Sequence, residues 1–381
     1  MYFVHPQIKF SNLNKLVSVI IEKENFEILS KKLSFYFPGK QFIFTDMGRS
    51  AFKLLIEKFN LENSEILMPA FICDIFYPIL KQYNVTPIFL DIDLKTFHIK
   101  IDEIKQKIIP TTEAILTCHT YGLPVDVQKI REVTNNQLLI IEDCAHSFGA
   151  KINGVFTGNS GDASFFSLYK QFPTLRGGLA IFEPRTSNFE QNLLTKTYFD
   201  LRDLISLLNY FSPFAFFFKE FGGNIAPKMI RKEKKETLSG INRISLNLFS
   251  NFLEDFKKSL QRRIELALYF QEELKKLGFE VQESKGSVFC YLSALVPKNL
   301  IEKRNEIVKQ LRKYNIFCTR IWHTPIILNK EVQKEYKINL AEFPNTIEAA
   351  KRIINFPLQN YYTEKDIKEM ISSIEKVILK L

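Results

Sequence analysis

The chain has 381 residues, 46% of them hydrophobic, and a formal net charge of +10. That length and apolar content suit one large globular domain with a second, smaller one, and exclude a disordered or fibrous chain. The longest apolar stretch, Ile205 to Phe218, contains Pro213 and falls short of a bilayer span, and MYFVHPQIKF has no basic region leading into a long apolar segment, so neither a membrane-spanning helix nor a secretory leader is expected.

Five cysteines, Cys73, Cys118, Cys144, Cys290 and Cys318, are odd in number and lack the paired spacing of a zinc site. They read as reduced thiols of a cytoplasmic protein. The basic balance suits an anionic small substrate or cofactor, and equally a bias of composition toward Lys, Ile, Asn and Phe. No nucleic-acid partner is expected.

In chain order, Phe42 to Thr45 reads as a strand and the following DMGRSAFKLLIEKF as a helix, with Gly48-Arg49-Ser50 at its start. Backbone N–H groups and a hydroxyl at a helix N-terminus make an anion site, and the same residues also suit an ordinary capped helix. Ala114 to Cys118 is a strand leading into HTYGLPVDVQKI, with His119 at its end and Asp126 placed to cap a helix from Val127. Leu138 to Ile141 is an apolar run ending in Glu142-Asp143. Ala163 to Leu168 is another, ending at Lys170, and Gly177-Gly178 turns the chain into Leu179 to Phe182. Strand carboxyl ends line the ligand crevice of an open parallel sheet, so an acid, an imidazole, a serine and a lysine meet there.

Further on, LLNYFSPFAFFFKEF is expected to pack as a helix and IRKEKKE to be an exposed linker. Phe252 to Leu277 has the period of a long amphipathic helix stopped by Gly278. The remainder alternates strand and helix signals, with a helix over Asn299 to Lys313 and a last helix opened by a capping box of Thr363 and Asp366.

Pyridoxal 5'-phosphate is the cofactor whose chemistry needs this set: a lysine to bind its aldehyde, an acid to pair with its ring nitrogen, and hydroxyls with a helix N-terminus for its phosphate. Lys170 and Asp143 are the candidate catalytic residues. A single loop lysine is more often a solvated charge, so the weight lies in the whole string. EDCAH, GDASFFS, Lys170 and Gly177-Gly178 together resemble the DegT/DnrJ/StrS family of sugar aminotransferases, and HTYGLPVD and FPLQNYYTEKD are similar to further segments of that family.

The resemblance implies an α/β chain of the PLP-dependent transferase fold type I. A large domain over residues 1–250, with a mostly parallel sheet flanked by helices and a helical Phe-rich segment at 184–237, would precede a small C-terminal α+β domain at 251–381. It places the cofactor's phosphate at Gly48, Ser50 and Ser167, and His146 beside its phenolic oxygen, with Arg49 either a further phosphate contact or a solvent-facing residue. Asn242 is the nearest match to a residue that reaches the neighbouring subunit's phosphate. The ring-stacking position, four residues after Pro69, is Cys73, with Phe71 and Phe76 as alternatives. Arg49 departs from the family's commonest pattern, Ser167 stands closer to the lysine than in most relatives, and Arg243 follows Asn242 directly.

Also implied are a nucleotide-linked keto sugar and glutamate as substrates, amino-sugar biosynthesis for a surface polysaccharide or secondary metabolite, and a homodimer with shared sites. Two rivals are a family dehydratase, in which histidine replaces the lysine, and a catalytically silent PLP-binding paralogue. Both are disfavoured by Lys170. Among Arg49, Arg176, Arg243 and Arg320, none stands in a setting that marks a two-pronged carboxylate clamp.

Overall fold

Strand β1 is Tyr2–Phe3, and β2 (Gln41–Thr45), β3 (Glu65–Pro69), β4 (Thr86–Leu90), β5 (Thr112–Cys118) and β6 (Leu139–Asp143) are separated by helices. A hairpin of β7 (Lys151–Ile152) and β8 (Val155–Phe156) precedes β9 (Ala163–Ser167) and β10 (Gly178–Phe182). This computed structural model describes residues 1–6, 8, 19, 26–184, 207–208, 210–211 and 238–381. The expected Phe-rich helix and charged linker lie outside them, apart from Leu207, Leu208, Tyr210 and Phe211.

A seven-stranded sheet has the order β2-β10-β9-β6-β5-β3-β4. Only β10 runs against its neighbours. The carboxyl ends of β2, β3, β5, β6 and β9 therefore share one edge, where Asp46, Ala70, His119, Cys144 and Leu168 follow. The strands are apolar throughout because both faces are covered. Ile66 and Met68 point into one core and Leu67 into another, just as Leu116 and Ile115 do. Helices α1 (Phe26–Ser34), α2 (Gly48–Lys58), α3 (Phe76–Gln82), α4 (Ile101–Lys107) and α5 (Val127–Val133) supply this cover. Asp126 is at the N-cap of α5, but its side chain makes no capping bond, since its ψ of 89° falls short of the extended backbone that aims a cap.

Helix α6 spans Arg243–Glu254 and α7 spans Phe256–Lys276. The chain turns at Asp255 between them, so the helix expected from Phe252 begins at Phe256 instead. The turn lets Phe256 reach the aromatic core under the sheet, with its ring 4.7 Å from that of Phe172. Residue 250, the expected domain boundary, lies inside α6. Next come β11 (Glu280–Val281), β12 (Leu292–Leu295), α8 (Arg304–Arg312), β13 (Ile316–Phe317), α9 (Lys330–Glu335), α10 (Pro344–Arg352), β14 (Ile353–Phe356) and α11 (Glu364–Ile378). The helix expected from Asn299 starts as a 3-10 turn over Lys298–Lys303 after Pro297 and becomes α-helical only at Arg304.

β11, β12 and β14 form an antiparallel sheet, packed by Leu266, Phe270 and Leu274 of α7 and by Ile367, Met370 and Ile374 of α11. Both bonds of the Thr363–Asp366 capping box are made at the start of α11. The two halves of the chain are joined by contacts that include a strand pair and a shared core. β1 pairs in parallel with β13, and Ile326, Ile327, Val332 and Phe343 pack into the core of the large sheet. Among the described residues, no helix is long and apolar enough to cross a membrane.

Candidate active site

Three chain segments meet at the sheet edge because glycine lets them. Gly177 has a φ of +136°, and a Cβ on Gly178 would stand 2.2 Å from the carbonyl oxygen of Met47. A side chain at Gly178 would have to move the β2–α2 turn, and one at Gly177 would be strained by that φ and would press on Ile241 and Leu168. The N–H of Gly177 donates to Asp46 O (2.7 Å), and the N–H of Leu168 to Gly177 O (2.9 Å). The start of α2 is thereby fixed beside the end of β9.

That start has the features of an anion cradle. α2 has eleven residues, no side-chain cap at Met47 and no acid in its first turn, so its positive dipole end is not answered by a carboxylate from the helix itself. Ser50 is buried. Gly48 lies against Ser167: a Cβ built on it would stand 3.1 Å from the serine Cβ and 3.2 Å from Phe166 O. Arg49 is half-buried beside them. These residues fit a phosphate.

Asp143, the last residue of β6, is buried, and its Oδ1 accepts from the Ala145 N–H at 2.9 Å. Burial pushes its carboxyl up to about 6, against the opposing pull of that N–H, His119, the Cys118 thiol and the Lys170 charge. A buried acid in this state suits a cationic N–H partner such as a protonated pyridine nitrogen.

Lys170 ends a 3-10 turn, Leu168–Lys170, that follows β9 directly. Its charge is felt by Asp143, Cys73, His146, Cys290 and Tyr291. Of the three ring-stacking alternatives, Cys73 alone stands in this group. Phe71 is committed to a core with Phe97, Tyr121 and Trp322, and Phe76 to one with Phe52 and Phe165.

His146 is buried, and its Nδ1 accepts from the Tyr121 N–H at 3.4 Å, which leaves the proton on Nε2. Burial, and after it the Lys170 charge, holds the ring well below the usual histidine range, so it is neutral. It sits in an aromatic box, with ring centroids 6.0 Å from Tyr121, 5.0 Å from Tyr291 and 5.2 Å from Trp322. Sequence reasoning missed the box. Tyr121 was visible in HTYG and Trp322 as the sole tryptophan, but nothing in the sequence folds Tyr291 and Trp322 onto His146.

His119 has a structural place. Its Nε2 bonds Glu142 at 2.8 Å and its Nδ1 accepts from the Val125 N–H at 2.9 Å. Glu142 also accepts from the N–H groups of Gly158, Ser160 and Gly161. Burial works to raise the Glu142 carboxyl, but His119, and after it the N–H groups of Gly158 and Gly161, outweigh it and hold it low. Cys144 stands close enough to complete a metal-like triad with them, yet the lone pairs of Glu142 are already committed. Asn242 caps α6 through its side-chain oxygen, which accepts from the Ser245 N–H at 2.8 Å. Ile241, just before it, covers Gly177.

Against known proteins, residues 17–191 and 238–375 match the model of the DegT/DnrJ/EryC1/StrS aminotransferase family. A GDP-perosamine synthase from Escherichia coli O157:H7 is 36% identical over 128 residues, 33% of this chain and 35% of that one. A GDP-4-keto-6-deoxy-D-mannose 3-dehydratase from Yersinia pseudotuberculosis is 27% identical over 84% of this chain and 82% of its own. Among solved structures, a putative sugar aminotransferase from Streptococcus pneumoniae, in its PMP form, superposes with a TM-score of 0.78 at 18% identity, over 100% of this chain and 99% of the other. That likeness carries the fold alone: an α/β chain with a mostly parallel sheet. With most of its length matched, the chain belongs to the DegT/DnrJ/EryC1/StrS aminotransferase family and is a pyridoxal-phosphate-dependent aminotransferase.

Proposed function

We propose that this enzyme moves an amino group from glutamate to the keto group of a nucleotide-linked sugar, for amino-sugar biosynthesis in the cytoplasm, as a homodimer. The observation that carries the reading is the placement of Lys170 among Asp143, His146 and Cys73 at an edge that also holds the uncapped start of α2. When bound, pyridoxal phosphate supplies an aldehyde that receives an amino group and a ring that absorbs the electrons of a broken C–H bond. Lys170 Nζ would be the base that takes the proton from the donor's α-carbon and delivers it to the cofactor's aldehyde carbon. Asp143 holds a negative charge against the ring nitrogen, and the neutral His146 offers Nε2–H. Gly48, Arg49, Ser50 and Ser167 bind the phosphate.

A dehydratase reading is raised by the name of the Yersinia relative. Against it stands Lys170, at the position where the sequence resemblance gives dehydratases a histidine.

Two measurements test the reading. Borohydride reduction of the holoenzyme and peptide mapping should label Lys170, and a label on any other lysine removes the site assignment. The visible cofactor band should bleach with glutamate and return with a nucleotide keto sugar, giving an aminated sugar by mass spectrometry. A band that returns only with 2-oxo acids would end the sugar assignment while leaving the cofactor chemistry intact.

A further inference from the structure

A short segment of the C-terminal half, residues 288–291, is laid across the sheet edge at the site itself. The Val288 N–H donates to Gly122 O (3.0 Å) and the Tyr291 N–H to Tyr121 O (3.3 Å), both just past the end of β5. A Cβ on Gly122 would stand 2.9 Å from the Cys290 nitrogen, so this close approach needs glycine there. At the end of β9, the Cys290 thiol donates to the Lys170 carbonyl at 3.8 Å. The backbone of Cys290-Tyr291 is thereby pinned between Tyr121 and the reacting lysine.

Tyr291 is buried. Its ring meets His146 edge-on at 5.0 Å and 86°, and Tyr121 at 6.1 Å and 89°, which is packing that a phenylalanine would supply as well. The hydroxyl is the part that packing does not explain. Among the described residues, Lys170 is the side chain that meets it in a hydrogen bond. Burial pushes the hydroxyl up, against the pull of the Lys170 charge, so it stays neutral and keeps its proton. Lys170 Nζ also lies 5.3 Å from the centre of the Tyr169 ring, but a ring face attracts a cation without fixing where its N–H bonds point. An ammonium has three donors and no acceptor, so a neutral hydroxyl beside it accepts one N–H and sets the direction of the other two.

We propose that Tyr291 is a positioning residue for the reacting lysine: its Oη accepts one N–H of Lys170 Nζ while that amine is free of the cofactor, and so aims the amine at the donor's α-carbon. This rests on Lys170 as the proton carrier of the reaction proposed above. In the sequence, Tyr291 lies inside VFCYLSALV and reads only as a strand residue.

The test is Tyr291→Phe, which keeps the ring and removes one oxygen. In the cofactor-free protein at a fixed pH, a small acylating reagent should label Lys170 roughly tenfold faster in the variant, because the lost bond had favoured the charged form that cannot react. Mass spectrometry of the lysine's peptide reads that rate. In the holoenzyme, saturating glutamate should bleach the visible band roughly ten- to hundredfold more slowly in the variant, at an unchanged half-saturating concentration. Deuterium on glutamate's α-carbon should slow the variant more than the wild type. A tyrosine that only packs would move none of these readings. The proposal is overturned if either rate matches the wild type, if only the half-saturating concentration changes, or if Tyr291→Phe fails to fold, which would assign the hydroxyl to the fold. If glutamate leaves the wild-type band unchanged, the donor assignment fails and the acylation rate alone decides on Tyr291. If borohydride labels another lysine while Tyr291→Phe still alters acylation of Lys170, the contact stands and the part of Lys170 in the reaction fails.

Discussion

Gly48 and Ser167 come from different strand ends, yet a Cβ added to Gly48 would stand 3.1 Å from the Cβ of Ser167. The start of α2 can approach the end of β9 because one of the two has no side chain. Gly48→Ala must push Ser167 or the Phe166 carbonyl aside by a few tenths of an ångström. The expected outcome is a cofactor dissociation constant raised at least roughly tenfold, with about 1–2 kcal/mol lost from the fold. Titrating cofactor into the cofactor-free protein checks it, and unchanged affinity would show that this contact does not shape the phosphate end.

Asp143 costs the empty protein stability. Its carboxyl stands near 6 instead of 3.8, so the folded state holds a proton that the unfolded state releases between those values. The group's penalty is absent below about pH 4, grows as pH rises toward 6, and reaches about 3 kcal/mol above it, from roughly two pKa units at about 1.4 kcal/mol each. In the absence of cofactor, Asp143→Asn should be the more stable protein at pH 7.5 and lose most of that advantage by pH 4.5. With cofactor the order should reverse, and transfer should fall by orders of magnitude. Denaturant midpoints at the two pH values, with and without cofactor, decide it.

Glu142 should matter to folding and not to metal. Glu142→Ala strands the His119 ring and three backbone N–H groups in the interior, at about 3–5 kcal/mol. His119→Ala should cost less than Glu142→Ala, since the carboxylate keeps its backbone donors. A chelator should leave the wild-type melting temperature unchanged, and a fall of several degrees would mean that an ion occupies the His119, Glu142 and Cys144 group.

Asn242 tests the shared site. Its oxygen caps α6 within its own subunit, so a reach to a neighbour's phosphate falls to its amide nitrogen. Lys170→Ala and Asn242→Ala proteins are each expected to transfer poorly. Mixed and refolded together, they should form hybrid dimers in which one site joins an intact Lys170 to the partner's intact asparagine, and activity should return. No recovery in verified hybrids would place Asn242 in its own subunit's structure alone.

The strand ends were legible because the apolar runs end in residues that apolar packing does not explain: Asp143 after Ile141, Lys170 after Leu168, and Gly177-Gly178 where the backbone passes Met47. The capping box at Thr363 was legible for a similar reason, since both partners lie within one turn. Long-range placement was not. The pairing of His119 with Glu142, 23 positions apart, uses residue types that serve equally well in catalysis. The aromatic box around His146 draws Tyr291 and Trp322 from the far half of the chain, and Tyr121 and Trp322 hold positive φ values of 58° and 63°, which no local propensity signals. The turn at Asp255 was hidden because the apolar period continues through it.

The parallel pairing of Tyr2–Phe3 with Ile316–Phe317 sets an order of events during synthesis. A ribosome adding about 5–20 residues per second needs roughly 15–60 s to pass from Tyr2 to Ile316. For that interval β13, whose Phe317 ends up stacked on the Phe3 ring at 4.7 Å, has not yet been made, while the large sheet's strands already have their partners. The C-terminal body can therefore close only after translation has nearly finished. A nascent chain stalled after Phe182 should protect the sheet from proteolysis while leaving its first residues open to cleavage.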